Sequence, residues 1–270
     1  MNAETPCHDV PTSPVYGPIT SWRYGQSLGI DVIYRDSICS FNCVYCQLGQ
    51  IHQVIDRQDV FVPTGDLLKA LDAVDMSKVD WVTFSGSGEP TLALNIGEVI
   101  DAIRDRYDKP VLVLTNSTWL YDAATRRRLL RATVVDCKLD AASDTMLSRM
   151  NRPAAGVTFD RILEGIRAMR REPGFEGRLV VQCMFMPMNL HEAAKLADII
   201  ASIHPDEVQL NTPRRPKLRE WTLNSRAVLT EEQKAAASIL STITAEQAEE
   251  VEALLRERTG VPIRSVYSRN

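Results

Sequence analysis

Residues 28–46 read LGIDVIYRDSICSFNCVYC, an apolar run followed closely by three cysteines. The run LGIDVIY (28–34) is typical of a buried strand. Cys39, Cys43 and Cys46 follow it with the spacing C-x3-C-x2-C. Three thiolates in so short a segment can turn towards a common point and bind one compact, soft metal centre.

The residue types leave three interpretations of these cysteines open. Buried inert thiols are one, although such thiols are not expected to cluster in this way. A structural zinc site is another, and it needs a fourth ligand, for which His52 is the nearby candidate. The third is an iron–sulfur cube in which three irons take the cysteines and the fourth iron stays open for a substrate.

Apolar runs and amphipathic stretches alternate along the chain beyond the cysteines. Six segments have the character of strands, and they are residues 28–34, 80–85, 111–115, 134–139, 179–186 and 207–211. Helical patterns separate them, so the strands are expected to pair in parallel with right-handed crossovers. The pattern predicts an α/β fold, either an open sheet or an incomplete barrel.

The two ends of the chain differ from this repeat. Residues 1–24 carry four prolines and are predicted to form an amino-terminal arm. The barrel or sheet is predicted over 25–225, and a small helical extension over 226–270. In that extension TEEQ (230–233) and TAEQ (244–247) fit the helix capping box, and an extended piece at 261–267 follows.

Composition excludes several classes of protein. The chain has 270 residues, of which 44% are hydrophobic and 24% charged, which is ordinary for a globular protein. No stretch approaches eighteen apolar residues, and the first residues are polar, so we expect a cytoplasmic protein without a membrane segment. The net charge of −4 gives no broad basic field for nucleic acid.

The cysteine motif with Tyr45 before its third cysteine resembles the signature of the radical S-adenosylmethionine (SAM) superfamily. GSGEPTL (86–92), after the second predicted strand, resembles the motif with glycine and glutamate of that superfamily. Two further strings, GQSLGIDV (25–32) and YCQLG (45–49), are similar to the branch that contains the tRNA wyosine-base synthases. The resemblance extends from about residue 25 to residue 211.

This resemblance implies a fold, two cofactors and a reaction. The fold is a partial (β/α)6 TIM-like barrel, and the three cysteines hold a [4Fe–4S] cluster whose open iron is chelated by SAM. One electron from an external donor of the flavodoxin or ferredoxin type cleaves SAM into methionine and a 5′-deoxyadenosyl radical. The radical then abstracts hydrogen from a substrate.

Candidate SAM-binding residues follow the carboxyl ends of the strands, where ligands bind in parallel α/β folds. They are Tyr45, Gly86, Gly88, Glu89, Thr115, Asn116, Gln182 and Asn211. The glycines are expected to let the backbone approach a ligand, and Glu89 to accept a hydrogen bond from an ammonium group. Thr115 and Asn116 are expected to reach the ribose or carboxylate of SAM, with simple turn formation as the alternative.

Lys138 and Asp140 are the candidate catalytic residues. They flank Leu139, so alternation along a strand points both side chains to the same side. If that side is the interior, they form an ion pair there, and Lys138 can hold a substrate carboxylate or form a Schiff base with a carbonyl. A purely structural salt bridge is the alternative.

The substrate is not determined by the sequence, and a tRNA base, a small molecule and a peptide are all open. Wyosine-type modification of a tRNA guanosine is one alternative, although only Cys7 lies upstream, where the archaeal synthases carry three cysteines for a second cluster. A basic run at 214–219, followed by Trp221, has the composition of a phosphate and base contact, with a solvated loop as the favoured alternative. A zinc-stabilised binding module without catalysis is the alternative from another class.

Overall fold

A computed structural model describes residues 13–213, 217–219, 221, 229 and 231–267 of the chain. Its main feature is an eight-stranded sheet in the order β1-β2-β5-β6-β7-β8-β9-β10, and β3 and β4 form a separate pair. The strands are β1 (Val15–Ser21), β2 (Gly25–Ile30), β3 (Ile38–Cys39), β4 (Gln53–Val54), β5 (Trp81–Phe84), β6 (Val111–Thr115), β7 (Val134–Lys138), β8 (Arg178–Met184), β9 (Glu207–Asn211) and β10 (Ile263–Ser265).

Helices alternate with these strands and shield the sheet. They are α1 (Thr64–Asp72), α2 (Ile96–Tyr107), α3 (Ala123–Arg128), α4 (Asp144–Met150), α5 (Phe159–Arg170), α6 (Ala193–Ile203), α7 (Glu231–Ala236) and α8 (Ala245–Thr259). Each longer helix turns an apolar stripe inward, as α2 does with its buried Ile96, Val99, Ile100 and Ile103. Among the described residues, no helix combines the length and the apolar character needed to cross a bilayer.

The six predicted strands are present, and they are parallel neighbours in chain order. Their side chains are mostly buried on both faces of the sheet, because helices cover its outer face and its inner face lines the interior of the barrel. This arrangement confirms the predicted partial (β/α)6 barrel. It also brings the carboxyl ends of the six strands to one mouth.

The first of these strands lies earlier than predicted, at 25–30 rather than 28–34. The cause is Asp31, whose Oδ1 accepts hydrogen bonds from the backbone N–H groups of Ile33 (3.1 Å) and Tyr34 (2.9 Å). A carboxylate that binds the backbone two and three residues on stabilises a turn. The apolar residues 32 and 33 therefore fill the core from a turn and not from a strand.

Parts of both predicted end segments join the sheet. Within the predicted arm, β1 pairs antiparallel with β2, and within the predicted extension, β10 pairs parallel with β9. Residues 1–12, Cys7 among them, lie outside the described residues. The sequence pattern did not predict this pairing. The pairing depends on the open edges of the barrel, and other segments of the chain form those edges.

The second predicted capping box is observed at the start of α8. The N–H of Gln247 donates to Thr244 Oγ1 (3.2 Å), and the N–H of Thr244 donates to Gln247 Oε1 (3.0 Å). The first capping box begins at Thr230, which lies outside the described residues, as do residues 214–216 of the basic run.

A charged cluster lies inside the barrel, near the end opposite the mouth. Arg23, in the turn before β2, places its Nη1 3.1 Å from Asp136 Oδ2 and 2.6 Å from Gln209 Oε1. Asp136 is almost fully buried, and burial raises its pKa to about 6 in spite of the nearby Arg23. Glu207 raises this pKa further, and Lys138 lowers it.

We expect Asp136 to make the folded state less stable as the pH rises. The unfolded carboxyl releases its proton near its ordinary pKa of 3.8, whereas the folded one keeps it up to about 6. Below this window the carboxyl is protonated in both states and does not oppose folding. Across the window the free energy of unfolding falls, by about 3 kcal/mol in total, because ionisation is disfavoured in the folded state. Urea unfolding of the wild type and of Asp136→Asn between about pH 4 and pH 7 measures this, and equal pH profiles would contradict it.

Candidate functional site

The cysteine loop starts from β3, and β3 is attached to the loop that follows β5. The N–H of Ile38 donates to the carbonyl of Ser87 (3.0 Å), and the N–H of Glu89 donates to the carbonyl of Ile38 (3.2 Å). These bonds form a short parallel bridge between Ile38 and Gly88. The first cysteine and the GSGEP loop are therefore held as one unit.

The glycines of that loop are required by close packing against protein atoms. A Cβ on Gly88 would lie 1.6 Å from the carbonyl oxygen of Ile38, and one on Gly86 would lie 2.3 Å from the Asp31 carboxyl carbon. Asp31 Oδ2 in turn accepts hydrogen bonds from the backbone N–H and the hydroxyl of Ser87. The sequence attributed the missing side chains to the approach of a ligand, but their immediate neighbours are β3 and Asp31.

The segment after α4 clamps the other side of the cysteine loop. The N–H of Val44 donates to the carbonyl of Met150 (2.9 Å), and the N–H of Asn42 donates to the carbonyl of Asn151 (3.0 Å). The N–H of Ala154 donates to the carbonyl of Ser40 (2.8 Å). The loop backbone is thus fixed from two sides, which satisfies polar groups that burial would otherwise leave unpaired.

All three cysteines of the loop are free thiols. Cys43 is buried, whereas Cys39 and Cys46 are partly exposed. Burial raises the pKa of each thiol, that of Cys43 to about 12. A cationic centre and N–H donors would each lower such a pKa and so offset the cost of burying three thiolates.

Glu89 acts as a tie between two strand ends. Its Oε1 accepts hydrogen bonds from the N–H and hydroxyl of Thr91 and from the hydroxyl of Thr115, at 2.6–3.0 Å. Its Oε2 accepts from the N–H of Asn116 (2.6 Å). Both side chains are buried and hydrogen-bonded to one another, and their contact with SAM stays a prediction.

Asn116 connects the end of β6 to the cysteine loop. Its Oδ1 accepts from the N–H and hydroxyl of Thr118, and its Nδ2 donates to Ser40 Oγ (2.9 Å) and to Cys39 Sγ (3.5 Å). Asn116 therefore contacts a predicted cluster ligand, and its contact with the ribose or carboxylate of SAM stays a prediction.

Asp140 is buried at the end of β7 and holds three elements together. Its Oδ1 accepts from the N–H of Met184 (2.7 Å), and its Oδ2 accepts from the hydroxyl of Tyr45 and from Asn151 Nδ2 (2.9 Å). Asn189 donates to its backbone carbonyl (2.8 Å). Asp140 and Tyr45 are thus hydrogen-bonded to one another beside the cysteine loop, and the catalytic role of Asp140 and the cofactor contact of Tyr45 stay predictions.

Lys138 lies at the mouth, on the same side as Asp140. Its Nζ is 3.6 Å from Asp140 Oδ1, donates to Gln182 Oε1 (3.2 Å) and lies 5.0 Å from the ring centre of Tyr45. Its side chain keeps 18% of its surface exposed, while that of Asp140 keeps none. The ammonium group is therefore held by the protein and still reachable from the mouth.

The residues predicted from sequence fall into two groups. One group is buried and supports the loops: Cys43, Tyr45, Glu89, Thr115, Asn116 and Asp140. The other keeps surface at the mouth: Cys39, Cys46, Gly86, Gly88, Lys138, Gln182 and Asn211. The first group, in which Cys43 is also a predicted cluster ligand, fixes the positions of the residues in the second group.

The donor set fits the iron–sulfur cluster that the sequence resemblance implies. Each of the three thiols would bind a different iron, so the sulfurs need not converge on one point. Within the described part of the chain, no three His, Cys, Asp or Glu side chains lie close enough to hold one metal ion. His52, which the zinc interpretation requires, places its Nδ1 2.8 Å from Asp36 and packs its ring against Trp221.

Sequence reasoning missed Asn151 and Asp31. Asn151 contacts Cys43, Tyr45 and Asp140, yet it lies more than one hundred residues from the cysteines and belongs to no local motif. Asp31 interrupts an apolar run, which is a weak signal for a turn. Neither residue could be assigned to the site without the folded structure.

Comparisons with known proteins show the family to which the chain belongs. A sequence profile of the radical SAM superfamily matches residues 36–200, which include the cysteine loop and Lys138. A UPF0026 protein from Synechocystis sp. is 46% identical over 213 residues, which are 78% of this chain and 80% of that protein.

Solved structures share the fold. Streptococcus suis SuiB bound to its precursor peptide SuiA has a TM-score of 0.61 at 15% identity, over 87% of this chain and 48% of SuiB. TYW1 with a lysine-pyruvate adduct has a TM-score of 0.58 at 15% identity, over 88% of this chain and 76% of TYW1. The chain thus spans about half the length of SuiB.

The profile match and the close relative overturn the alternative of a non-catalytic zinc module. This chain is an enzyme of the radical SAM superfamily and belongs to the family of UPF0026 proteins.

Proposed function

We propose that Cys39, Cys43 and Cys46 hold a [4Fe–4S] cluster at the mouth of the barrel and that SAM binds beside it. The substrate, in this proposal, is a molecule with a carbonyl group that is held by Lys138. The observation that carries the proposal is that the cysteine loop, the GSGEP loop and the Lys138 ammonium all lie at the carboxyl ends of neighbouring parallel strands.

A bound cluster supplies the electron that cleaves SAM into methionine and a 5′-deoxyadenosyl radical. The protein positions the reactants and excludes other hydrogen donors. The partly exposed backbone at Gly86 and Gly88 is suited to the methionine end of SAM, because the bonds through Asp31 and Ile38 fix it beside Cys39. Gln182 and Asn211, at the ends of β8 and β9, are suited to the far side of the same opening.

Lys138 is suited to bind a carbonyl because its ammonium is oriented from three sides. Gln182, Asp140 and the ring of Tyr45 surround it, and the side chain keeps 18% of its surface exposed. In a Schiff base the amine nitrogen attacks the carbonyl carbon and one water molecule leaves. The lysine-pyruvate adduct of TYW1 is an example of this chemistry on the same fold.

Trapping with borohydride tests the role of Lys138. We expect the wild-type protein, incubated with pyruvate and then reduced, to carry a stable adduct on the peptide that contains Lys138, as read by mass spectrometry. Lys138→Met should carry none, and Lys138→Arg, which keeps the charge but forms no Schiff base, should also carry none. Absence of the adduct from the wild type with pyruvate and other 2-oxo acids would contradict a carbonyl-binding lysine.

A tRNA substrate is tested separately, because some enzymes with this fold act on large molecules. If the substrate is a tRNA, deletion of the gene should remove one modified nucleoside from total tRNA. An unchanged nucleoside profile would exclude wyosine-type modification and leave a peptide or a small molecule.

We further propose a separate one-electron donor of the flavodoxin or ferredoxin type, which should replace dithionite in the assay.

A further inference from the structure

We infer that Asn116 and Asn151 are positioning residues that set the reduction potential of the cluster by donating N–H···S hydrogen bonds to Cys39 and Cys43. The inference rests on the proposed cluster and goes beyond it, because neither side chain is a ligand. The two asparagines come from different elements, the end of β6 and the end of α4, and each donates to one thiol at 3.5 Å.

The orientation of the Asn116 amide is fixed by its partners. The N–H of Thr118 can only donate, and it lies 3.1 Å from Asn116 Oδ1. The oxygen must therefore face Thr118, which leaves the NH2 group facing Ser40 and Cys39. A flipped amide would lose these bonds.

The orientation of the Asn151 amide follows from the acceptors around its nitrogen, since its Oδ1 is buried without a hydrogen-bond partner. Asp140 Oδ2 is an acceptor when ionised, and it lies 2.9 Å from Asn151 Nδ2. The same nitrogen lies 2.9 Å from the hydroxyl oxygen of Tyr45 and 3.5 Å from Cys43 Sγ. Its two hydrogens thus serve the support group and the cysteine together. The backbone carbonyl of Asn151 also accepts a hydrogen bond from the N–H of Asn42. Asn151 therefore cannot move away from the cysteine loop without breaking this bond.

These hydrogen bonds affect the two redox states unequally. Reduction adds one negative charge to the cluster and its thiolates, and a buried site penalises that charge. An N–H donor stabilises the more negative state, so it raises the potential. Each asparagine therefore makes the cluster easier to reduce, and removing its amide should shift the midpoint potential to a more negative value.

The test is a redox titration of the anaerobically reconstituted full-length protein, followed by EPR without SAM. We expect Asn116→Leu and Asn151→Leu each to shift the midpoint potential negatively, and the double variant to shift it further. Asn189→Leu is the matched control: Asn189 is equally buried and supports Asp140, yet its recorded bonds go to the carbonyls of Asp140 and Met184 and to the N–H of Met186. It should leave the potential unchanged.

Unaltered potentials in both asparagine variants, or the same shift in Asn189→Leu, would overturn the inference while leaving the cluster intact. Absence of iron, sulfide and EPR signal from the wild type would instead refute the proposed function. If the variants do not retain a cluster, the hydrogen bonds are tested instead by pulsed EPR of wild-type protein labelled with 15N in its asparagine side chains. We expect a weak nitrogen coupling to the reduced cluster, and its absence would overturn the inference.

Discussion

The Cys46→Ala variant is expected to release no detectable 5′-deoxyadenosine when it is incubated anaerobically with SAM and dithionite. One of the three thiols of the loop is then missing, so a second iron has no protein ligand besides the open one, and the remaining two cysteines cannot hold a cluster with one defined open site. The product is measured by liquid chromatography and mass spectrometry, together with iron and sulfide per chain.

Cys183→Ala is the matched control for this loss. Cys183 lies in β8, is fully buried and is also a free thiol, but it belongs to the core and not to the loop. Its truncation should cost about 1 kcal/mol of stability through a small cavity and leave product release intact. Persistent product in Cys46→Ala, or equal loss in both variants, would contradict the ligand assignment.

Gly88→Ala is expected to destabilise the protein strongly, although it adds only one methyl group. The new Cβ would lie 1.6 Å from the carbonyl oxygen of Ile38, and that atom belongs to backbone hydrogen-bonded to Glu89. The bridge between β3 and the GSGEP loop must open, at a cost of about 3 kcal/mol. Because Cys39 is the next residue along β3, we also expect the reconstituted variant to hold little iron.

Gly65→Ala provides the control for the same chemical change. Gly65 lies in the first turn of α1, and a Cβ there would meet no atom within 4 Å. Alanine is the better helix former, so this variant should be as stable as the wild type or more stable, by up to about 1 kcal/mol. Thermal unfolding and iron content of both variants measure the difference, and an iron-replete, stable Gly88→Ala protein would refute the packing argument.

The sequence predicted those features that depend on local pattern. Apolar runs located six of the seven parallel strands in the described eight-stranded sheet, and the positions of Cys39, Gly86 and Lys138 at or beyond the ends of three of them predicted a common mouth. Parallel pairing places carboxyl ends together, so this step needed no tertiary contacts.

The roles of buried polar residues could not be predicted in this way. Glu89 and Asp140 are of a residue type that often binds ligands. Their hydrogen-bond partners, however, come from other strands and lie far away in the sequence. The same holds for Asn151, which no pattern marks. A polar residue at a strand end either meets a ligand or supports the residue that does, and only its burial and its partners distinguish the two.

The most direct measurement is the EPR spectrum of the reduced, reconstituted wild-type protein before and after addition of SAM, on samples with known metal content. The account predicts about four irons and four sulfides per chain, and a spectrum that changes with SAM because the molecule binds the iron that no cysteine holds. A single bound zinc, or a cluster whose spectrum is the same with and without SAM, would contradict it.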